Sequence, residues 1–303
     1  MAYSWVAHHF NPMASRALPT TTSLNSPSWP PGWRKRTAVM GVINITPDSF
    51  SDGGRFLDSQ RAVEEAQRQL KLGADVLDLG AQSTRPGAEE VGAEEECRRL
   101  LPALIAIRRQ CPEALISVDT FLAPVASAAL DAGANWVNDV SGGRRDPDLL
   151  AVVAQAQCPV VLMHSRGDSK TMDQLTDYKN ITAEVLSGLQ QCTEAAIQAG
   201  VQPSQIIWDP GLGFAKTHQQ NLQLLRELEQ LNQDGFPLLL GPSRKRFIGE
   251  VLDEPRPTAR LWGTAAVACR CAQAKAAIVR VHDVGPIAQT LRMASALWWD
   301  QTR

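Results

Sequence analysis

No run of apolar residues in this 303-residue chain approaches the roughly 20 that a helix needs to cross a bilayer, which excludes a membrane helix. Net charge is nearly missing as well. The 30 basic and 32 acidic side chains leave −2, too little for a whole-molecule field that would gather nucleic acid or an anionic membrane surface, so any anion site must be local. The six cysteines (Cys97, Cys111, Cys158, Cys192, Cys269, Cys271) include no C-x-x-C pair and no histidine at zinc-finger spacing. That sets aside structural zinc and a disulfide framework, and leaves small hydrophobes of a reducing, cytoplasmic compartment. Neither G-x-S-x-G nor G-x-x-x-x-G-K-[ST] occurs, no Ser-His-Asp or Cys-His nucleophile pattern is evident, and Gly211-x-Gly213 lacks the third glycine of a dinucleotide loop.

Residues 1–36 contain no Asp or Glu, are rich in Ser, Thr and Pro, and carry Trp5, Trp29 and Trp33. Without a periodic apolar face to offset the entropy of ordering, they predict a disordered extension ahead of one catalytic domain at 37–303. An organellar transit peptide shares the acid-free, Ser-rich character, but a single Arg before Arg34 and the lack of an amphipathic repeat argue against targeting.

From Thr37 onward, short apolar runs alternate with longer segments of helical spacing, the pattern of βα units around a parallel sheet. The runs fall at Ala38–Asn44, Val76–Leu79, Ile116–Asp119, Trp136–Asn138, Val160–Met163, Ile206–Asp209, Leu238–Gly241 and Ala277–Val281, nearly continuous in apolar residues as strands covered on both faces should be. Stripes such as Val63, Ala66, Leu70 and Cys97, Leu100, Leu101, Leu104 mark helices between them, and Gly73, Gly133 and Gly200 sit where helices must end before a strand. Eight such units predict an α/β fold of the closed (β/α)8 TIM-barrel kind rather than a doubly wound sheet of five or six strands.

A barrel gathers the carboxyl ends of its strands at one rim, and here each apolar run ends in polar residues. In order these are Asn44 and a loop through Asp48 to Gly54; Ser83-Thr84-Arg85-Pro86-Gly87; Asp119-Thr120; Asn138-Asp139; His164; Asp209; Ser243-Arg244-Lys245; and Arg280 with His282. A single Asp, Asn or Thr after a strand reads equally well as a helix N-cap. Eight at one rim point to a site. Asp119 and Asp209 lie in or directly after apolar strands, where an uncompensated carboxylate is costly, so each needs a ligand or a dedicated partner. Arg85, Lys245, Arg280 and His282 supply donors for an anion with several oxygens, best a phosphate or diphosphate. Acceptors of the Asp119, Asn138 and Asp209 kind suit a planar heterocycle with adjacent ring N–H and amino donors, such as a pterin. Gly211-Leu212-Gly213 reads as a tight loop that holds Phe214 over the site, or as a simple turn with a core Phe.

The stretches MGVINITPDSFSDGG (Met40–Gly54) and STRPGAE (Ser83–Glu89), followed in order by SVDT, NDVSGG, LMH, DPGLGF, SRKRFIG and RVHDV, resemble those of the dihydropteroate synthases over about Arg36 to Val284. That resemblance implies a transferase joining p-aminobenzoate to a pterin-methyl diphosphate. It implies that Asn44 helps hold a magnesium ion, and that Asp119, Asn138, Asp209 and Lys245 grip the pterin with Thr84 near its reacting end. It further implies that Arg280 and His282 bind the diphosphate, that Thr84, Arg85, Pro86, Phe214, Ser243 and Lys245 frame the p-aminobenzoate pocket, where sulfonamides would also sit, and that Asp48 belongs to a closing loop. Partners would be these small molecules and, as is common in the family, a second copy of the chain, to which the apolar last helix (Ile287, Leu291, Met293, Leu297, Trp298) would contribute. The chain departs from the family at Ala81 and Gln82, where Gly-Glu is frequent, and at Ala215, where Gly or Ser is more usual; none is an implied ligand. Two rival readings stand beside this one. A corrinoid methyltransferase of the pterin-binding kind has no diphosphate to bind, against which SRK and RVHDV argue, and a non-catalytic pterin-binding paralogue would have a broken anion site.

Overall fold

In a computed structural model the described residues are 29–45, 54–82 and 87–299, with only the backbone described for 54–58. Eight strands alternate with helices: β1 (Ala38–Asn44), α1 (Gly54–Leu72), β2 (Val76–Gly80), α2 (Ala93–Gln110), β3 (Leu115–Asp119), α3 (Ala123–Asp131), β4 (Trp136–Asp139), α4 (Asp148–Ala156), β5 (Val160–Met163), α5 (Ile181–Gln198), β6 (Ile206–Asp209), α6 (His218–Arg226), α7 (Leu228–Leu231), β7 (Leu239–Leu240), α8 (Arg246–Leu252), α9 (Leu261–Gln273), β8 (Ile278–Val281) and α10 (Val284–Trp298). All pairings are parallel, in the order β6-β5-β4-β3-β2-β1-β8-β7. A bridge between Trp208 and Leu238 brings β6 to the start of β7 and nearly closes the cylinder. This is the predicted α/β barrel, with every predicted strand within two residues of its observed bounds at each end.

Helices form where the apolar stripes predicted them and bury those stripes against the outer faces of the strands, in one continuous layer that includes Leu77, Leu79, Leu100, Leu104, Ile107, Val118, Val137 and Trp208. Gly73, Gly133 and Gly200 carry φ of +103°, +101° and +98° at the predicted helix ends. At Gly133 the requirement is twofold, because a Cβ there would also press to 3.2 Å on the side chain of Arg108.

Side chains alternate along each strand, so every second residue enters the cylinder. The lower interior is a second apolar cluster of Ala38, Met40, Val76, Trp136, Val161, Ile207, Leu239, Ala277 and Ile278. The extension set at 1–36 is irregular over its described part, where turns pack against the barrel. Trp29 stacks on Trp33 at 4.4 Å and meets Trp136 edge-on at 5.4 Å, so the two tryptophans plug the bottom of the barrel. Arg36 fastens the plug through two bonds to Asp75, which also accepts from the Val39 amide at 2.8 Å. Large aromatic area buried over an open barrel end offsets the ordering entropy that composition alone made decisive. Residues 1–28 lie outside the described part.

Candidate active site

The alternation that places Val76, Trp136, Ile207 and Ile278 inside also places, two residues on, Asp78, Asn138, Asp209 and Arg280. Register fixes their heights: Gly80 pairs with Asp119, Asp119 with Asn138, and Met163 with Asp209. Arg280 reaches across from β8. Its Nε donates to Asp78 at 2.6 Å and its Nη2 to Asp119 at 2.7 Å. The same Asp78 oxygen accepts from the Asn138 amide nitrogen at 3.2 Å. Asp209 is bound by the Gly211 amide at 2.7 Å. The partners that isolated carboxylates required are thus present, and for Asp119 the partner is the arginine expected to serve the diphosphate.

Burial dominates the electrostatics. It lifts Asp119 to about 7 although Arg280 opposes the rise, because Arg280 is shared with Asp78, and Glu96 and Asp139 add negative charge. Burial also raises Asp209, against the pull of the Gly211 amide and of Lys245. On Arg280 burial works against the charge, but Asp78 and Asp119 outweigh it and hold the guanidinium above its ordinary value. Lys245 is brought down to about 8 by desolvation, which Asp209 only partly offsets. Its Nζ lies 4.2 Å from the centre of the Phe214 ring, so the half-buried Phe214 faces the site rather than the core.

At the β7 and β8 ends, Ser243 Oγ lies 2.9 Å from Nδ1 of His282 and accepts from the His282 amide at 3.2 Å. Arg244, at φ +60°, donates twice to Asp283, at 2.7 and 3.0 Å, and accepts at its carbonyl from Arg260 at 3.0 Å. These bonds tie the Ser243–Lys245 loop to the His282 loop. Asn44 closes β1, and with His282, Asp283, Arg244 and Arg68 it lines a cavity of about 770 Å³. Asp48, Thr84, Arg85 and Pro86 lie outside the described residues.

The structure therefore brings Asp119, Asn138, Asp209, Lys245 and Arg280 into one mouth, with Ser243, His282, Phe214 and Asn44 on the surrounding loop and strand ends. Two participants escaped sequence reasoning. Asp78 lies inside the apolar run Val76–Leu79, and strand parity with Val76 was the signal that could have found it. Lys216 follows Phe214 and is buried against His164 and the Gly211–Phe214 loop; nothing in its spacing marked it.

Known proteins with this geometry are numerous. The profile of the family described as pterin binding enzyme matches residues 40–282. The dihydropteroate synthase of a Synechocystis strain is 51% identical over 266 residues, 88% of this chain and 92% of that one. Among solved structures, a Clostridium difficile dihydropteroate synthase crystallised in the presence of pteroic acid superposes with a TM-score of 0.83 at 39% identity, covering 88% of this chain and 98% of that one. The Xanthomonas albilineans enzyme with 4-aminobenzoic acid gives 0.80 at 42% identity, covering 86% and 93%.

Proposed function

The chain belongs to the dihydropteroate synthases among the pterin-binding enzymes, and from that premise we propose the roles by which its mouth condenses p-aminobenzoate with (7,8-dihydropterin-6-yl)methyl diphosphate to 7,8-dihydropteroate and diphosphate. One observation carries the assignment. Inside a barrel whose floor is apolar, acids and cations are buried together, with Arg280 spanning Asp78 and Asp119. A pterin offers ring N–H and amino donors on one edge, which match Asp119, Asn138 and Asp209, while Lys245 donates to its acceptor atoms. A flat ring in this layer replaces water around groups that are otherwise costly to bury.

No enzyme nucleophile is needed. The aryl amine attacks the exocyclic methylene as the carbon–oxygen bond to diphosphate breaks, so the protein's contribution is to place the two reactants and stabilise the departing anion. Arg280 and His282 take that anion. Phe214, Ser243 and Lys245 frame the p-aminobenzoate side, which sulfonamides also fill; for Thr84, Arg85, Pro86 and Asp48, outside the described residues, the roles are those the family resemblance implies. Among the described residues no group of three His, Cys, Asp or Glu side chains forms a metal cage. The amide oxygen of Asn44, which lines the cavity, would be the protein's ligand to a magnesium ion held mainly by the substrate phosphates. Bound there, magnesium supplies charge neutralisation for the leaving diphosphate.

Of the last-helix residues expected at the homodimer contact, Ile287 and Leu291 are buried in the core instead, which leaves the exposed Met293, Leu297 and Trp298 of α10, with Trp262 of α9, as the candidate surface. The six free cysteines fit a reducing cytoplasm, and no described helix is long and apolar enough to cross a membrane. The deciding assay supplies both substrates with magnesium and follows diphosphate. Stoichiometric release with dihydropteroate formation is expected; methyl transfer to a corrinoid, or binding of the pterin without turnover, sinks the assignment.

A further inference from the structure

The loop between β6 and α6 turns through three left-handed residues, of which the last is an alanine. Gly211, Gly213 and Ala215 have φ of +70°, +79° and +48°, and the alanine carries a Cβ into a region that L residues avoid. Room is scarce as well, since a Cβ at Gly211 would lie 2.0 Å from the His164 carbonyl oxygen. Part of the bracing comes from Asp209, which binds the Gly211 amide, and from Asn221, which binds the Gly213 amide at 2.7 Å.

The rest comes from a lysine. Lys216 is 8% exposed, and its ammonium lies 3.0 Å from the carbonyl oxygens of Gly211 and Phe214, 3.2 Å from Nδ1 of His164 and 3.4 Å from the His164 carbonyl oxygen. Its three protons are shared among three carbonyl oxygens and one ring nitrogen, none of them a carboxylate. Nδ1 can accept only in a neutral ring, and burial, followed by the charges of Lys216, Arg144 and Arg166, drives the His164 pKa down to about 2. Gly188 of α5 makes space for that ring, because a Cβ there would lie 2.6 Å from Cδ2 of His164.

We propose that Lys216 is a positioning residue: by donating to the Gly211 and Phe214 carbonyls and to His164, it fixes Phe214 and Gly213 against Lys245 and so shapes the p-aminobenzoate side of the mouth. The contact it secures is close. Phe214 lies 4.2 Å beneath the Lys245 nitrogen, and a Cβ on Gly213 would come within 2.9 Å of the Lys245 side chain. The inference rests on the synthase reading above.

Charge on Lys216 matters to the brace. Facing it are His164 directly after β5, Asp209 from β6, Lys245 ahead of α8, and Arg144 and Arg166 from the loops after β4 and β5. Burial, offset in part by Asp209, lowers its pKa to about 7. Loss of the proton leaves two N–H donors for four acceptors, so the loop loosens as pH rises through neutrality. Global stability moves the other way. Between about pH 7 and the ordinary lysine value the unfolded chain binds more protons than the folded one, so this residue adds stability as pH rises.

The test is Lys216→Met in the full chain, with wild type alongside. KM for p-aminobenzoate should rise about tenfold, kcat should fall less than about threefold, and the calorimetric Kd of the pterin diphosphate should stay within about twofold. Wild-type KM for p-aminobenzoate should climb more steeply above pH 7 than that of the variant, in which Lys245 and Asp119 still titrate but Lys216 does not, and stability should shift toward wild type over the same range. Lys216→Gln, uncharged at every pH, carries the same expectation should the methionine variant not fold. An unchanged KM in a folded variant, equal weakening of both substrates, or matching pH profiles overturns the inference. A wild-type chain that binds the pterin diphosphate without condensing it overturns the synthase reading beneath it, which keeps the two failures apart.

Discussion

The floor and the mouth of this barrel are built on the same strands, and two residues of rise separate opposite chemistries. β2 presents Val76 below and Asp78 above, β4 Trp136 and Asn138, β6 Ile207 and Asp209, β8 Ile278 and Arg280. Each floor side chain is favourable where it lies, since it brings apolar area out of water and asks nothing of its neighbours. Mouth side chains are tolerable only through one another: Arg280 needs Asp78 and Asp119, and they need it. A mutually dependent set is what a polar ligand can enter, because the ligand exchanges one set of partners for another. The floor therefore carries stability and the mouth carries specificity and chemistry.

The comparison is broken most forcefully at Trp136, fully buried between the plug and the barrel interior. Trp136→Ala should cost about 3–5 kcal/mol in urea unfolding. Activity per folded molecule should change little; a specific loss of kcat in folded protein would mean that floor and mouth are not separable. At the other end, Arg280→Ala should lower kcat by about 10²–10³-fold, far more than it weakens pterin binding, since leaving-group charge grows in the transition state. Equal loss of both refutes the role. The variant should also expose the mouth's interdependence: Asp78 and Asp119 are left buried without their cation, so its stability should fall more steeply than that of wild type as pH rises from 4 to 8.

Much of this division was legible in the sequence. Eight apolar runs located the strands, and a polar residue at each carboxyl end located the rim, because in parallel barrels both signals follow from burial on two faces and from topology. Asp119, Asn138, Asp209, Lys245 and Arg280 were found that way. Asp78 stayed hidden because it lies at an alternate position within its strand rather than at the strand's end. The floor plug was missed because composition was weighed over the segment as a whole, whereas Trp29 and Trp33 act by fitting an open end of the barrel formed far away in sequence. Lys216 was invisible for a related reason: its partners are backbone carbonyls and a histidine just beyond another strand, which no local pattern encodes.

A subtler contrast runs through Glu96 in the first turn of α2. It is 1% exposed, one of its oxygens has no hydrogen-bond partner among the described residues, and burial lifts its pKa to about 7 against a bond from Thr120 and the pull of Arg99. Because the folded value lies above the unfolded one, the stability it contributes is present below about pH 4.5 and is lost progressively as pH rises to 7. Glu96→Gln should remove that loss, becoming more stable than wild type at pH 8 by on the order of 3 kcal/mol relative to their difference at pH 4. Parallel stability curves would show that Glu96 is ionised and paired.

The smallest effect tests where the domain begins. Trp29 is half-buried, stacked on Trp33 and edge-on to Trp136, so its removal loses one aromatic face on each side without opening a sealed cavity. Trp29→Ala should cost about 1–2 kcal/mol, near the worth of two aromatic contacts. Arg36 and Asp75 should still hold the chain beneath β1, which keeps the loss below that at Trp136. A double variant with Trp136→Ala should cost less than the sum of the two, because the second substitution removes a contact already lost; full additivity would mean that the tryptophans do not share one cluster. With kcat unchanged throughout, residues 29–36 count as part of the floor, and the folded domain starts ahead of the first strand rather than at it.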